Sequence, residues 1–256
     1  MNKDKLKKVI SILLILIMIG CGYIIFDETR KTVQVSQETQ NFKELIESHH
    51  DINVQEEPAE FSKSAWKELK EKNEDFVGYL FIGDVIEQPI VQTDNNSYYL
   101  HRTFAREWLT NNGNPFIDCW ADEDSTNITI YGHNSSWKQD IIFSHLNDVI
   151  LDQDYYEKNS KIRFYLEDEK REYEICYAYY INEKQFQTYD FSEDNFDDIK
   201  EFSEFIQYAR DHSEIKNIYG DIYWGDNFLT LQTCKRYNQD IKVVVVAREV
   251  GRSDYN

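Results

Sequence analysis

The sequence predicts a mainly β fold: a closed eight-stranded barrel with N-terminal helices and one helix between the sixth and seventh strands. Three observations carry that expectation. From residue 77 onward the chain breaks into short strand-like runs at 77–82, 88–92, 115–118, 127–132, 161–166, 172–182, 227–233 and 242–248. Three prolines are spread over 256 residues, and many short strands with few prolines favour a closed barrel over a parallel α/β sheet. Two segments of helical period interrupt the strands, at 139–149 and 195–211.

The N-terminal region precedes all of these. Residues 9–26 carry no charge, and 18 residues lie within the range of a membrane span. Lys3, Lys5, Lys7 and Lys8 come before this run, and Asp27 and Glu28 follow it. By the positive-inside rule the N-terminus is cytoplasmic and the rest of the chain lies outside. A cleaved signal peptide, or a lipoprotein signal ending at Gly20-Cys21, is the competing reading. Met18 stands where a lipoprotein signal usually has leucine, and the apolar run continues past Cys21 to Phe26. The expected division is therefore a basic tail and anchor at 1–26, an extracellular stalk at 27–58 and one globular domain at 59–256.

The stalk is polar and acidic, with a possible short helix at 41–49 and a close at Glu56-Glu57-Pro58. Ser62 or Ser64 then caps a helix through Lys72, whose Ala65, Trp66 and Leu69 fall at core spacing. In the 139–149 helix, Ile141, Ile142, His145, Leu146 and Val149 lie on one side. In the 195–211 helix, Phe196, Ile199, Phe202, Phe205, Ile206 and Ala209 do the same. Glu193, Asp194, Asp197 and Asp198 at its start suit the helix dipole, a calcium site being the sharper alternative. Aromatic content is 15%, which would fit carbohydrate stacking, although aromatics in strands more often form core and cross-strand pairs.

Composition limits the partners. Removing residues 1–26 leaves 24 basic against 46 acidic residues, a net charge near −22. Nucleic acid and anionic lipid surfaces need a basic face, so neither is an expected partner. Outside the anchor, Cys119, Cys176 and Cys234 make an odd number, which leaves at least one thiol free in an exported chain. Cys119 and Cys176 lie in strand-like runs and read as small buried hydrophobes. No CxxC or HExxH occurs, so a structural or catalytic zinc has no support, and no cofactor is expected.

Two segments carry the chemistry. The run Leu229-Thr230-Leu231-Gln232-Thr233-Cys234 puts a thiol at the end of a strand, just before a polar turn at 235–240. A rigid ladder would hold that thiol while it faces the loop side, where a nucleophile is useful. Asn127-Ile128-Thr129-Ile130-Tyr131-Gly132-His133-Asn134 is a second strand, ending in a glycine and a histidine. Cys and His on two strand ends are the minimum for thiol acyl transfer, with Cys234 as nucleophile and His133 as general acid and base. His49 and His50 lie in the stalk, His145 reads as packing and His212 ends a helix; His101 is the rival to His133.

Thr230-Leu231-x-Thr233-Cys234 and Tyr131-Gly132-His133-Asn134 resemble the sortases, cysteine transpeptidases of the Gram-positive cell surface. Three further segments, in the family's order, fit the class B branch. They are Asn73-x-Asp75-Phe76-Val77-Gly78-Tyr79-Leu80, Pro89-Ile90-Val91-Gln92-Thr93-Asp94-Asn95-x-x-Tyr98-Tyr99-Leu100, and Phe143-Ser144-His145-Leu146. The resemblance runs from about residue 60 to 250. No lid segment with an Asp-Pro-aromatic motif precedes the barrel, which speaks against the pilin-polymerising class C.

The resemblance implies a sortase-type barrel and a membrane-anchored transpeptidase facing the outside of the cell. Such an enzyme cleaves an NPxT-type sorting signal, holds the surface protein as a thioester on Cys234 and passes it to a cell-wall peptide amine. The family's oxyanion-stabilising arginine falls at Lys242 here, a departure because a lysine is a point charge rather than a planar fork. Arg236, in the turn, is the alternative donor; Arg248 shares the face of Lys242 but lies roughly 20 Å along the strand. The resemblance maps Tyr131, Asn96, Leu100 and Gln232 onto the substrate groove, Gln232 standing where class B members usually have serine. A thiol hydrolase using the same Cys-His pair and a non-catalytic surface-binding domain of the same fold are the alternatives.

Overall fold

In a computed structural model of the chain, residues 3–49, 61–109, 113–134, 142–186 and 189–255 are described. Eight strands close into one barrel: β1 (Phe76–Ile82), β2 (Ile86–Val91), β3 (Phe116–Ile117), β4 (Asn127–Tyr131), β5 (Lys161–Tyr165), β6 (Lys170–Asn182), β7 (Phe228–Lys235) and β8 (Asn238–Ser253). Around the barrel they run β1-β2-β3-β4-β7-β8-β6-β5. The pairs β2–β3 and β4–β7 are parallel and the others antiparallel.

The parallel β4–β7 pair matters most for function. Parallel neighbours end on the same side of a sheet, so the segments after Tyr131 and after Gln232 emerge together. The run Val243, Val244, Val245, Val246 and Ala247 is buried throughout. Val243, Val245 and Ala247 pack into the barrel interior with Leu229 and Leu231, while Val244 and Val246 pack outward. An unbroken apolar run is what a strand covered on both faces requires.

The outer cover is α6 (Ile199–His212), which buries Phe202, Phe205, Ile206 and Ala209 against that wall. Each of the two phenylalanines and the isoleucine contributes about 1.5–3 kcal/mol on full burial. The helix between strands six and seven is thus as expected, but it starts later. Asp198 is its N-cap, its carboxylate accepting from the amides of Lys200 and Glu201, and Phe196 lies ahead of it. A capping carboxylate explains that acid without a calcium ion.

The N-terminal helices divide differently from the expectation. Helix α1 (Lys3–Ser48) passes without a break from the apolar run through the segment read as a stalk. Val35, Phe42, Leu45 and Ile46 are buried against the domain, whereas the apolar residues before Asp27 stand exposed. The polar composition of 27–58 hid this stripe because four apolar positions among charged neighbours suffice to dock one helical face; residues 50–58 lie outside the described residues. Helix α2 (Lys63–Lys72) forms as expected, with Ser62 accepting from the amide of Ala65 and Ala65, Trp66 and Leu69 buried.

The expected helix at 139–149 is shifted. Residues 142–145 form turns, Ile142 with a φ of 50°, before α3 (Leu146–Leu151) and α4 (Gln153–Lys158); residues 139–141 lie outside the description. A β-branched residue at positive φ cannot continue a helix, so the apolar period there reported burial rather than helical structure. A one-turn helix, α5 (Glu183–Phe186), follows β6. Cys176 is fully buried, as expected, but Cys119 is half-exposed and all described cysteines are free.

Candidate active site

Strand parity builds one wall of the site. Successive residues of a strand point to opposite faces, and directly paired residues share a face. Gln232 pairs with Tyr131 on β4 and with Val244 on β8, and Cys234 pairs with Lys242. Val244 packs outward, so Tyr131, Gln232, Cys234 and Lys242 share the outer face of the β4–β7–β8 wall. The amide of Gly132 donates to the carbonyl of Gln232, extending the β4–β7 pairing toward His133. Gly132 has to be glycine, since a Cβ there would come within 2.4 Å of the Phe143 ring.

An irregularity sets the partner of the thiol. Lys235 pairs with Asn238 across a tight turn in which Tyr237 has a φ of 65°. The register then shifts, so that Cys234 faces Lys242 rather than Gln239. The Lys242 Nζ lies 3.4 Å from the Cys234 Sγ and also donates to the Gln239 carbonyl at 2.8 Å. The Cys234 carbonyl accepts from the side-chain amides of Asn134 (2.9 Å) and Asn147 (3.2 Å), which fixes the end of β7.

The histidine is held from another direction. Its Nε2 lies 2.7 Å from the carbonyl of Leu100. A carbonyl can only accept, so Nε2 carries the proton and Nδ1 is the acceptor of the neutral ring. Burial pushes the His133 pKa below its usual value; the Leu100 bond opposes this, and the charges of His101 and Lys242 reinforce it. The ring therefore rests neutral at pH 7, the state needed to take a proton from a thiol.

Leu100 belongs to a 3₁₀ turn (Tyr99–His101). Buried Tyr99 anchors it, donating to Asp75 at 2.8 Å and accepting from Asn73 at 2.8 Å. His101 instead lies against Trp108, the two rings tilted by 35° with centroids 5.3 Å apart.

A buried carboxylate organises the remaining expected residues. The Asp118 Oδ2 accepts from Tyr131 Oη at 2.7 Å and from Asn96 Nδ2 at 3.0 Å, while the amide of Cys119 donates to Asn96 Oδ1 at 2.8 Å. Burial and the Asp118 carboxylate push the Tyr131 phenol well above its usual pKa, so it is a neutral donor. Tyr131 and Asn96 are thus joined through one acid, Leu100 reaches the site through its carbonyl, and Gln232 lies beside Tyr131 on the wall.

The structure separates the two cations. Arg236 Nη2 bonds the Asp148 carboxylate at 3.1 Å and the Ser144 carbonyl at 3.4 Å, and its amide donates to Asn147. Its guanidinium is engaged with α3, while Lys242 meets the thiol. Arg248 is engaged with Asp221 and Tyr219. His145 is a polar partner rather than packing, its Nδ1 lying 3.0 Å from Tyr155 Oη and 3.2 Å from Asp148.

Asp118, Asn134 and Asn147 are the positioning residues that sequence reasoning missed. Asn134 adjoins the histidine, which was a signal; Asp118 and Asn147 carry none, because their partners are 13 or more residues away.

A family model described as the sortase domain matches residues 86–250. Sortase B of Listeria monocytogenes is 28% identical over 179 residues, covering 66% of this chain and 66% of that protein. The sequence thus spans just under two thirds of that relative's length. The crystal structure of Clostridium perfringens sortase B is similar at 27% identity, with a TM-score of 0.66 over 73% of this chain and all of that one. A Staphylococcus aureus sortase B–substrate complex shares the fold at 23% identity and a TM-score of 0.70, over 88% of this chain and 98% of that one.

Proposed function

The chain belongs to the sortase family, and on that premise we propose that it is a membrane-anchored cysteine transpeptidase of the class B type. The observation that carries this reading is the 3.4 Å approach of Lys242 Nζ to Cys234 Sγ, on a wall whose parallel neighbour strand delivers His133. In the proposed reaction, the Cys234 sulfur attacks the threonine carbonyl of an NPxT-type signal while neutral His133 takes the thiol proton. The Lys242 ammonium donates to the oxyanion that develops, where one well-placed donor is worth ~10²-fold or more. His133 then protonates the departing amine, leaving a thioester on Cys234.

A cell-wall peptide amine enters, loses a proton to His133 and releases the surface protein as a new amide. Tyr131, Asn96, Leu100 and Gln232 line the approach in this reading, with Asp118 holding the first two in place. Residues 9–26 serve as the anchor, with the N-terminus cytoplasmic and the domain outside. Their support is the exposed apolar half of α1, the one described helix long and apolar enough to cross a membrane.

The test is to incubate the protein with a peptide containing Asn-Pro-x-Thr, with and without an added glycine-peptide amine. Mass spectrometry of products and of the protein should show an acyl adduct on Cys234 and an amide-ligated product. Hydrolysis that ignores the amine would replace transfer with a thiol hydrolase. No cleavage of any such peptide would favour a surface-binding domain.

A further inference from the structure

Resting on the thioester reading, the geometry points to Lys242 as an internal acyl acceptor. We propose that, when no external amine arrives, the acyl group on Cys234 moves to the Lys242 side chain as a permanent amide.

The placement is that of two reactants rather than of a mere ion pair. Lys242 is the direct cross-strand partner of Cys234, on the same face, with its nitrogen 3.4 Å from the sulfur. A thioester carbon is bonded to that sulfur, so it forms within about one bond length of the lysine's reach. Well-oriented partners within one molecule react as though present at ~10⁵ M or more. An arginine could not do this, because its guanidinium stays protonated and holds no free electron pair. A lysine amine has one once it loses a proton, and aminolysis of a thioester is the chemistry the site is built for.

The step balances without any further reagent. The Lys242 ammonium first gives one proton to His133 or to water. Its nitrogen pair then forms a C–N bond to the thioester carbonyl, and the C–S bond breaks with its pair going to sulfur. The second nitrogen proton ends on that thiolate, restoring the Cys234 thiol. The product is an amide on Lys242, whose charge is lost and whose acyl chain fills the site, so the enzyme is switched off. Activity would thus last only while acceptor amines are supplied.

Lys235 is a built-in control. It adjoins Cys234 in sequence, but its Nζ sits 3.9 Å from the centroid of the Tyr180 ring. Sequence proximity alone would favour Lys235; cross-strand geometry favours Lys242.

The full chain in detergent micelles should be treated with N-acetyl-threonine benzyl thioester, which loads a reactive thiol without needing a sorting sequence. Intact mass and peptide mapping then follow the adduct before and after hydroxylamine, which cleaves thioesters but not amides. The expected result is a labile adduct on Cys234 that converts to a resistant adduct on Lys242, at least ~10-fold more abundant than any on Lys235. Cys234→Ala should abolish the resistant adduct. An adduct that stays labile until hydrolysed, or a resistant one on another lysine, would overturn the proposal while leaving the thioester reading intact. Resistant acylation of Lys242 in Cys234→Ala would also overturn it, because the acyl group would not have passed through sulfur. No loading of Cys234 at all would overturn both readings.

Discussion

The two halves of the site are positioned by different physics. The thiol half, Cys234 and Lys242, is set by a backbone ladder: two paired strands, a tight turn and one register shift. The imidazole half, His133, is set by side chains and loop carbonyls, through Leu100, Tyr99, Asn73 and Asp75. Ladder positions tolerate side-chain changes because the backbone bonds persist. A polar chain fails when one link is removed, because a buried group left unpaired costs about 1–3 kcal/mol. Substitutions in the first half should therefore alter chemistry with little change in folding, and those behind the second half should alter both.

The largest expected effect is at the nucleophile. Cys234→Ala should abolish turnover while the melting temperature stays near that of the parent, because a half-buried thiol at a strand end adds little core volume; peptide cleavage and thermal melts read the two. If cleavage survives, the thiol half is misassigned.

His133→Ala comes next. General acid–base assistance is worth ~10²–10⁴-fold, so kcat/KM should fall by that much, and by far less in His101→Ala. Equal losses at both positions would break the division between the halves.

Lys242→Ala should cost on the order of 10²-fold in kcat/KM, as for loss of one oxyanion donor. Lys242→Arg should hold or raise turnover, since a guanidinium can present two parallel donors. Arg236→Ala should instead lower thermal stability by freeing Asp148 and leave kcat nearly unchanged. A crippled Arg236→Ala with a silent Lys242→Ala would reverse the roles of the two cations.

Asp118→Ala sharpens the contrast further. It removes the acceptor of both Tyr131 and Asn96, so KM should rise with kcat less affected, and stability should fall by about 1–3 kcal/mol. Steady-state kinetics with denaturant melts would show both changes together.

The smallest effect is one of pH. The folded His133 has a pKa below the 6.5 of an ordinary histidine, so between the two values the unfolded chain binds a proton that the folded one does not. Its contribution is complete above pH 6.5 and is lost as pH falls toward the folded pKa. His133→Gln should flatten the fall in melting temperature between pH 7 and pH 5; an unchanged slope would mean that the ring is not desolvated.

Much of this was legible in the chain because strands advertise themselves locally. The runs at 127–132 and 227–233 fall within one or two residues of β4 and β7, and the β-branched Val243–Val246 block, read as an apolar strand, lies within β8. A cysteine and a histidine at the ends of two such runs made Cys234 and His133 the candidate pair. The helix at 139–149 was misplaced for the converse reason: Ile142 is buried in a turn at positive φ while Leu146 and Val149 are helical, and burial leaves the same trace as helical period.

The sequence by itself pointed to the closed barrel and to the helix between the sixth and seventh strands, because strand-like runs and a helical apolar period are read from residue types within a few positions of one another. Tertiary structure alone decided which cation meets the thiol. Lys242 and Arg236 are both near Cys234 in sequence, and only the register shift after Lys235 brings one to the sulfur while Asp148 draws the other to α3. It likewise decided that α1 packs on the barrel and that Asp118 ties Tyr131 to Asn96. Those contacts join residues far apart in the chain, and no local pattern encodes a partner that folding has yet to bring near.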